Sequence, residues 1–491
     1  MLNRDAARAL ATRLAGAGYT LDGVTARLGT RGTDALARNT TLAARDALGS
    51  DADAQATLVR LFLLQDAVPE PSASAALGDL DALARAGILD RAGDGVRAGV
   101  VIRPHAASGA DLEFDGWLAH DPLPNLDGQL GRSRPDYVLG PSPASTTLAQ
   151  MTPRTPVAGA LDLGTGCGIQ SLLLAQHAER VVATDLNPRA VAVADLTAGL
   201  NGIDLDLRTG SLYEPVAGER FDLIVTNPPY VMSPPTAQRL VYREGTETGD
   251  ELVRRVVVEG AAHLAEGGTL QVLGNWAITS QPWEERLRGW VDQTGCDALV
   301  LQRELLDPYE YIEVWLADAG LLGTDEYAPR YRAWVDYFDH LGITGVGMGW
   351  ISLHNSGRAT PDVVLQEWPH AVHQPLGEAF VAHQHGVTAA TVPDADLLGR
   401  AWRLDARVDV ETLGRPGEED PEHIVYRQRY GFGRAVEVDT ALGAVLGASD
   451  GELTAGQLIA AVADLLDVDP DALAAEIVPR LRELIREGYL T

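Results

Sequence analysis

Lysine is absent from all 491 residues, so each of the 39 basic residues is an arginine. That inventory excludes Schiff-base chemistry, a phosphate-loop lysine and a lysine-based phosphate clamp. Cysteine is nearly absent. Cys167 and Cys296 cannot make the disulfide framework of a small secreted fold, and their scarcity fits a reducing compartment. No apolar stretch approaches the ~20 residues that a membrane-spanning helix needs. The opening MLNRDAARALATRLAGAGYT scatters arginines where a signal peptide requires an unbroken apolar core. A soluble, cytoplasmic protein without a membrane partner is expected. Positive charge is scarce too: 39 arginines against 69 acidic residues leave −30. A field of that sign repels nucleic acid unless arginine is locally gathered, which disfavours a dedicated duplex binder.

What is present is globular. With 46% hydrophobic and 22% charged residues, the chain is long enough for two to four domains, each with a core of its own. Residues 1–125 are rich in Ala, Leu and Arg, with apolar positions at helical spacing in ATLVRLFLLQDAV and ALGDLDALARAGIL. A helix ending at Gly87 and a turn at Asp94-Gly95 before an apolar strand suggest a winged-helix-like N-terminal module lacking a basic recognition helix. From 126 to 375 the rhythm changes to short apolar runs separated by helical stretches: VAGALDLG, ERVVATDL, IDLDLRTGS, FDLIVTN and GGTLQVLG. This alternation predicts an α/β domain with a parallel, doubly wound sheet. DALVLQREL and YIEVWLAD are expected to pair as an edge hairpin, and GITGVGMGWISLHN and DVVLQEW to add two extended runs. Residues 376–491 read as a second mainly helical, winged-helix-like module, with a loop at RPGEEDPEH, N-caps at Thr454 and Asp469, and Pro470 at a first helical position. Its last 42 residues carry nine acidic residues against three arginines, which argues against generic DNA reading.

Two motifs carry chemistry. Leu161-Asp162-Leu163-Gly164-Thr165-Gly166-Cys167-Gly168 closes one apolar run and opens the helix IQSLLLAQHA. Glycines at alternate positions allow a sharp turn at a strand's carboxyl end and a ligand approach that a Cβ would block. Seventeen residues beyond Gly168, Asp185 ends the next strand, where a carboxylate can accept from both ribose hydroxyls. The second motif, Asn227-Pro228-Pro229-Tyr230, directly follows FDLIVT. Its prolines fix φ and supply no N–H, so the Asn227 amide oxygen and neighbouring carbonyls form an acceptor array suited to a planar NH₂ group, with Tyr230 placed to lie against that plane.

DLGTGCG, TDLNP, GSLYEP and NPPY, in this order and spacing, resemble the class I S-adenosylmethionine-dependent methyltransferases, and NPPY is similar to the N-methyltransferase signature of the HemK type. The resemblance covers roughly residues 130 to 320, including DYVLGPSPASTTLA upstream, with Tyr137 and Ser142 to Thr147. It implies a Rossmann-like fold with S-adenosylmethionine as cofactor. The implied cofactor residues are Asp162, Gly164, Thr165, Gly166 and Gly168 around the methionine part, Asp185 and Leu186 at the ribose, and Ser211 and Leu212 at the adenine edge, with Asn227 alongside. The implied catalytic set is Asn227, Pro228, Pro229 and Tyr230, with no metal. HemK-type enzymes methylate the glutamine amide of translation release factors, whereas siblings with the same tetrapeptide methylate exocyclic amines of adenine or guanine. DLGTGCGIQ and the two additional modules depart from the HemK pattern and leave the acceptor open.

The expected function is therefore N-methylation of a planar NH₂ acceptor on a macromolecule, with a protein glutamine ahead of a nucleobase. A small-molecule acceptor and a non-catalytic S-adenosylmethionine-binding regulator are the alternatives. Arg239, Arg243, Arg254 and Arg255 form the dense basic group near NPPY that keeps nucleic acid in consideration. His370, His373, His383 and His385 lack accompanying cysteines and read as solvated or capping residues rather than metal ligands.

Overall fold

The computed structural model describes residues 2–109, 112–128, 134–235, 248–415 and 422–491. The chain divides into two compact units, Met1–Ala149 with Arg154–Trp368, and Gln150–Pro153 with Pro369–Thr491. The first unit opens with helices whose starts are encoded locally. Asn3 caps Arg4–Gly16 by accepting from the Ala6 amide at 2.9 Å, and Thr20 caps Leu21–Ala37 by accepting from that of Gly23. Ala7, Leu10 and Leu14 recur on one buried face. Beyond Val59–Leu63 come β1 (Val68–Pro69), two short helices, β2 (Leu89–Ala92) and β3 (Gly95–Ala98), with the strands forming an antiparallel sheet in the order β1-β3-β2.

The helical reading of residues 1–125 is corrected at β4 (Val101–Gly109) and β5 (Leu112–His120), which make an antiparallel ribbon. Phe114, Gly116 and Leu118 alternate onto one buried face of β5, the period of a strand rather than of a helix. The ribbon is fastened to helix Pro188–Asn201. The Asn201 amide accepts from Trp117 N at 3.0 Å and donates to Trp117 O at 2.7 Å, and the Thr197 hydroxyl accepts from Ala119 N at 3.0 Å.

The central sheet contains β6 (Val157–Leu163), β7 (Ala178–Asp185), β8 (Asp206–Thr209), β9 (Phe221–Thr226), β10 (Leu264–Ile278), β11 (Asp297–Leu306), β12 (Gly345–His354) and β13 (Val363–Glu367). Their order is β13-β11-β12-β10-β9-β6-β7-β8. Neighbours from β10 to β8 pair parallel, and the winding reverses at β6, making a switch point between β6 and β9. Leu161, Val182, Ile224, Val272 and Trp276 belong to its core.

The wholly parallel expectation fails at β12, which is antiparallel to both β10 and β11. Two helices, Pro308–Asp318 and Tyr327–Leu341, intervene between β11 and β12. The chain re-enters beside the point where it left, with Leu306 pairing to Val346. The edge-hairpin expectation fails for the same segment, because YIEVWLAD lies in Pro308–Asp318. Asp307 accepts from the amides of Tyr309 and Glu310 at 2.8 Å, Pro308 occupies the first turn, and Tyr311, Ile312 and Leu316 share a buried face. Cap and helical spacing override the strand preference of the β-branched and aromatic residues.

The second unit has the expected caps at Thr454 and Asp469, the former completing a capping box with Gln457. It is mainly helical, as expected, and adds to its helices an antiparallel meander, β14 (Val408–Leu413), β15 (His423–Gln428) and β16 (Ala435–Val438). Tyr426 and Gln428 turn inward on alternate positions of β15, and Tyr426 packs in a core with Trp402, Leu442 and Leu446. Most of RPGEEDPEH lies outside the described residues. His383 rests its Nδ1 3.2 Å from the Arg486 carbonyl, and burial lowers its pKa to about 4.

Candidate active site

Strand register assembles the site. Leu163 at the end of β6 lies opposite Thr184 of β7 and Thr226 of β9, and Asp185 lies opposite Thr209 of β8. With parallel strands about 4.8 Å apart, the residues that follow must emerge side by side: the glycine loop after β6, Asp185 at the end of β7, Gly210-Ser211-Leu212 after β8 and Asn227 after β9. They line one cavity of about 270 Å³. Its walls include Asp162, Gly164, Thr165, Gly166, Asp185, Leu186, Ser211, Leu212, Asn227, Pro228 and Pro229. Gly168 and Tyr230 are not among the lining residues.

The loop is held from below. Gly164 and Thr165 each donate a backbone N–H to Thr184 O at 2.9 Å. Asp162 is buried, and its Oδ2 accepts from Thr165 Oγ1 at 2.7 Å, Ser171 N at 3.0 Å and Ser171 Oγ at 2.6 Å. Burial pushes its carboxyl up to about 6, against the lowering effect of these donors and with a further upward push from the Asp185 charge. Asp185 ties the loop sideways: Oδ2 accepts from Gly166 N at 3.0 Å and Oδ1 from Asn187 N at 2.8 Å. Burial raises its carboxyl too, opposed by those two N–H groups.

Gly164 and Gly166 take φ of 80° and 54°, where L side chains are strained, and a Cβ at either would meet no atom within 4 Å. The space beside them is open cavity, so the glycines serve ligand approach as well as the turn. Gly168, at φ 86°, differs. A Cβ there would lie 3.3 Å from Ala194 of helix Pro188–Asn201, so this glycine serves packing. Leu212 is the one non-glycine lining residue at positive φ, 45°, a local strain beside the cavity.

On the β9 side of the loop, Asn227 Oδ1 is buried without a hydrogen-bond partner. Such an acceptor costs about 1–3 kcal/mol when left unpaired, which marks a position shaped for a donor brought by a ligand. Pro228 and Pro229 supply no competing N–H. Tyr230 turns its ring onto Trp315, centroids 6.3 Å apart and edge-on, rather than into the cavity. Beyond it, Met232 N donates to the Tyr311 hydroxyl at 3.0 Å, and Asn275 Nδ2 lies 2.8 Å from the same oxygen.

Several lining residues escape motif reading: Gly140, Gln170, Thr184, Asn187, Leu252 and Val256. Gln170 donates to Ser145 O at 2.7 Å, and Asn187 Nδ2 to Asp136 O at 2.9 Å, tying the upstream segment 136–145 at both ends. The Asn-Pro pair after β7 is the one sequence signal among them, since Asn187 also caps Pro188–Asn201. Of the four arginines near NPPY, Arg239 and Arg243 lie outside the described residues. Arg254 and Arg255 are paired with Glu251 and Glu259. No helix among the described residues is long and apolar enough to cross a membrane.

The cavity sets the glycine cradle between the Asp185 carboxylate on one side and the unpaired Asn227 amide oxygen on the other, an arrangement that suits S-adenosylmethionine lying across the strand ends with an amine-bearing acceptor on the Asn227 side. Comparison with known proteins agrees. Residues 141–294 match the methyltransferase small domain, and residues 16–99 match a domain of unknown function (DUF7059). The chain is 34% identical over 205 residues to a release factor glutamine methyltransferase of Deinococcus radiodurans, covering 37% of this chain and 72% of that protein. It is 34% identical over 191 residues to one from Geobacter sulfurreducens, covering 34% and 64%. A ribosomal RNA small subunit methyltransferase C from an Enterobacter species is 32% identical over 130 residues, covering 26% and 34%.

Proposed function

The chain belongs to the HemK-type class I S-adenosylmethionine-dependent methyltransferases, and from that membership we propose that it methylates the side-chain amide nitrogen of a glutamine in a protein. The observation that carries the proposal is the buried, unpartnered Asn227 Oδ1 beside two residues that cannot donate. The net charge of −30 and the neutralised pairs at Arg254 and Arg255 support a protein acceptor over a nucleobase.

S-adenosylmethionine, when bound, supplies an electrophilic methyl group. Gly164 and Gly166 give it backbone access, Asp185 is the carboxylate available to its ribose hydroxyls, and Leu186 and Leu212 are apolar surface for its base. Asn227 Oδ1 accepts from the acceptor N–H, with the Asn227 and Pro228 carbonyls as further acceptors. An amide lone pair is delocalised into its carbonyl and nucleophilically weak. Acceptor bonds to its N–H groups orient it and offset the positive charge that develops as the N–C bond forms. The methylated nitrogen is strongly acidic and sheds a proton to solvent, so no side chain with a tuned pKa is required. Asp162 acts through Thr165 and Ser171 by holding the loop.

Incubation with methyl-labelled S-adenosylmethionine and cell lysate tests the proposal. Label should be protease-sensitive and should be recovered as N5-methylglutamine after digestion. Label that is nuclease-sensitive and recovered in a methylated purine would replace the protein acceptor with a nucleobase.

A further inference from the structure

The two helices inserted between β11 and β12, Pro308–Asp318 and Tyr327–Leu341, pack directly on the segment that continues NPPY. Val231 and Met232 share a core with Tyr311, Ile312, Trp334 and Phe338 of these helices. Tyr230 meets Trp315 edge-on, and Met232 N donates to the Tyr311 hydroxyl. The buried aromatics are therefore explained by packing. The exposed ones are not: Tyr309 is 55% exposed and Val314 49%, beside the strand end that carries Asn227. Apolar surface gathered at such a place is covered when a partner binds.

Three phenol rings gather there around one carboxylate. Tyr309 and Glu313 stand four residues apart on Pro308–Asp318 and so share a helix face. From the second helix the Tyr331 hydroxyl donates to Glu313 Oε1 at 3.4 Å, and the Tyr331 ring lies 5.9 Å from that of Tyr327 at 44°. Partial burial, then the Glu313 carboxylate and the Tyr327 and Tyr309 phenols, holds the Tyr331 hydroxyl above its ordinary value, so all three neighbours lie within electrostatic reach of it. Glu310 and Glu313 are exposed. Among the described residues no cation pairs with either, although Arg330 and Arg332 flank Tyr331. A carboxylate bordered by ring faces suits a planar cation, which can stack on a ring and donate to the carboxylate at once.

We infer that this patch docks an arginine side chain of the acceptor protein, a few residues from the glutamine that enters the cavity; the inference rests on the glutamine reading for the identity of that neighbour. The guanidinium lies against the tyrosine rings and donates to Glu313. A lysine would bring the charge without the flat face and the paired donors. Glu313 and Tyr309 precede Trp315 by about 3 and 9 Å of helix rise, and Trp315 packs on Tyr230, so an extended chain of roughly four to six residues spans the reach from cavity to patch. The net charge of −30 draws a basic protein towards the whole surface. The patch gives that attraction a fixed point beside the site of methyl transfer.

Fluorescence anisotropy of the full chain with S-adenosylhomocysteine tests this. The probes are labelled Gly/Ser peptides with one glutamine and one arginine, the arginine set about three, five or seven residues to either side, and the same peptides with citrulline or lysine in its place. The best arginine peptide should bind about fivefold tighter than its citrulline twin, the worth of an exposed cation–π contact with an ion pair, and lysine should fall between. Glu313→Gln and Tyr309→Ala should each bring that preference below about twofold. Glu476→Gln, which removes an exposed carboxylate from the second unit, should leave it unchanged. Retained S-adenosylhomocysteine affinity shows that the variants fold, and if one fails this check the other decides. No arginine preference in the parent, a preference that survives in the patch variants or falls equally in Glu476→Gln, or tighter binding of lysine would overturn the inference. Because binding is read without methyl transfer, label recovered in a purine would overturn the glutamine reading and leave the arginine preference to be judged by itself.

Discussion

Replacing Asn227 by alanine separates chemistry from cofactor binding and from folding. In the structure its Oδ1 is buried and unpaired, so the free enzyme bears the desolvation of this acceptor without a compensating bond. Removing it should leave the unfolding free energy unchanged or raise it by up to ~1 kcal/mol, because an unmet buried acceptor is worth about 1–3 kcal/mol of destabilisation, partly offset by the packing that the amide itself provides. Turnover should move the other way. A preorganised polar contact that strengthens as charge develops is worth about 10²–10³ in rate, or ~2.7–4 kcal/mol. The glycine cradle, Asp185 and Asp162 are untouched, so the dissociation constant for S-adenosylhomocysteine should change less than about twofold. Single-turnover methylation at saturating methyl donor, calorimetry and urea unfolding measure the three quantities. A parental single-turnover rate would refute the acceptor role and return NPPY to a rigid connector. A fall in cofactor affinity matching the fall in rate would show that Asn227 acts on the cofactor instead.

Three further substitutions probe the rest of the site. Asp185→Ala should weaken S-adenosylhomocysteine about 10- to 100-fold, the loss of charge-assisted bonds compounded by release of Gly166 and Asn187; calorimetry should also show no NAD binding by the parent, and tight NAD binding would overturn the cofactor assignment. Tyr311→Phe should cost roughly 2–4 kcal/mol in unfolding free energy and lower turnover, because it strands the buried Met232 N–H and Asn275 amide; unchanged stability would mean that the hydroxyl is dispensable. Asp162 carries a pH signature. Its folded pKa, about 6, lies above the usual ~3.9, so the folded chain holds the proton more tightly and this group's contribution declines as pH rises from about 4 to 6, by roughly 3 kcal/mol at ~1.36 kcal/mol per unit. The stability of Asp162→Asn relative to the parent should therefore grow over that window in paired urea titrations, and parallel pH profiles would contradict the burial argument.

The sequence alone determined those parts of the protein that depend on short stretches of backbone. Gly164 and Gly166 announce a turn only glycine accommodates, Pro228 and Pro229 announce a rigid segment without donors, and Thr454, Asp469 and Pro470 announce helix starts. Each rests on a dihedral or a cap within a few residues. The α/β class followed from alternating apolar runs, and the convergence of the glycine loop, Asp185 and Asn227 followed from the rule that parallel strands end on one side. What tertiary structure decided is everything that depends on a distant partner. The direction of β12 is set by the return of two helices beside β11, and the ribbon at Val101–His120 by its seat on helix Pro188–Asn201. Pro308–Asp318 is helical because the Asp307 cap and a buried face outweigh strand propensity. Asp162 looks from its motif like a ligand residue, yet its Oδ2 is occupied by Thr165 and Ser171. Tyr230 follows the prolines in sequence but faces Trp315. Side-chain direction at the end of a strand is chosen by packing, and no local pattern encodes the neighbours that a chain of 491 residues will bring to it.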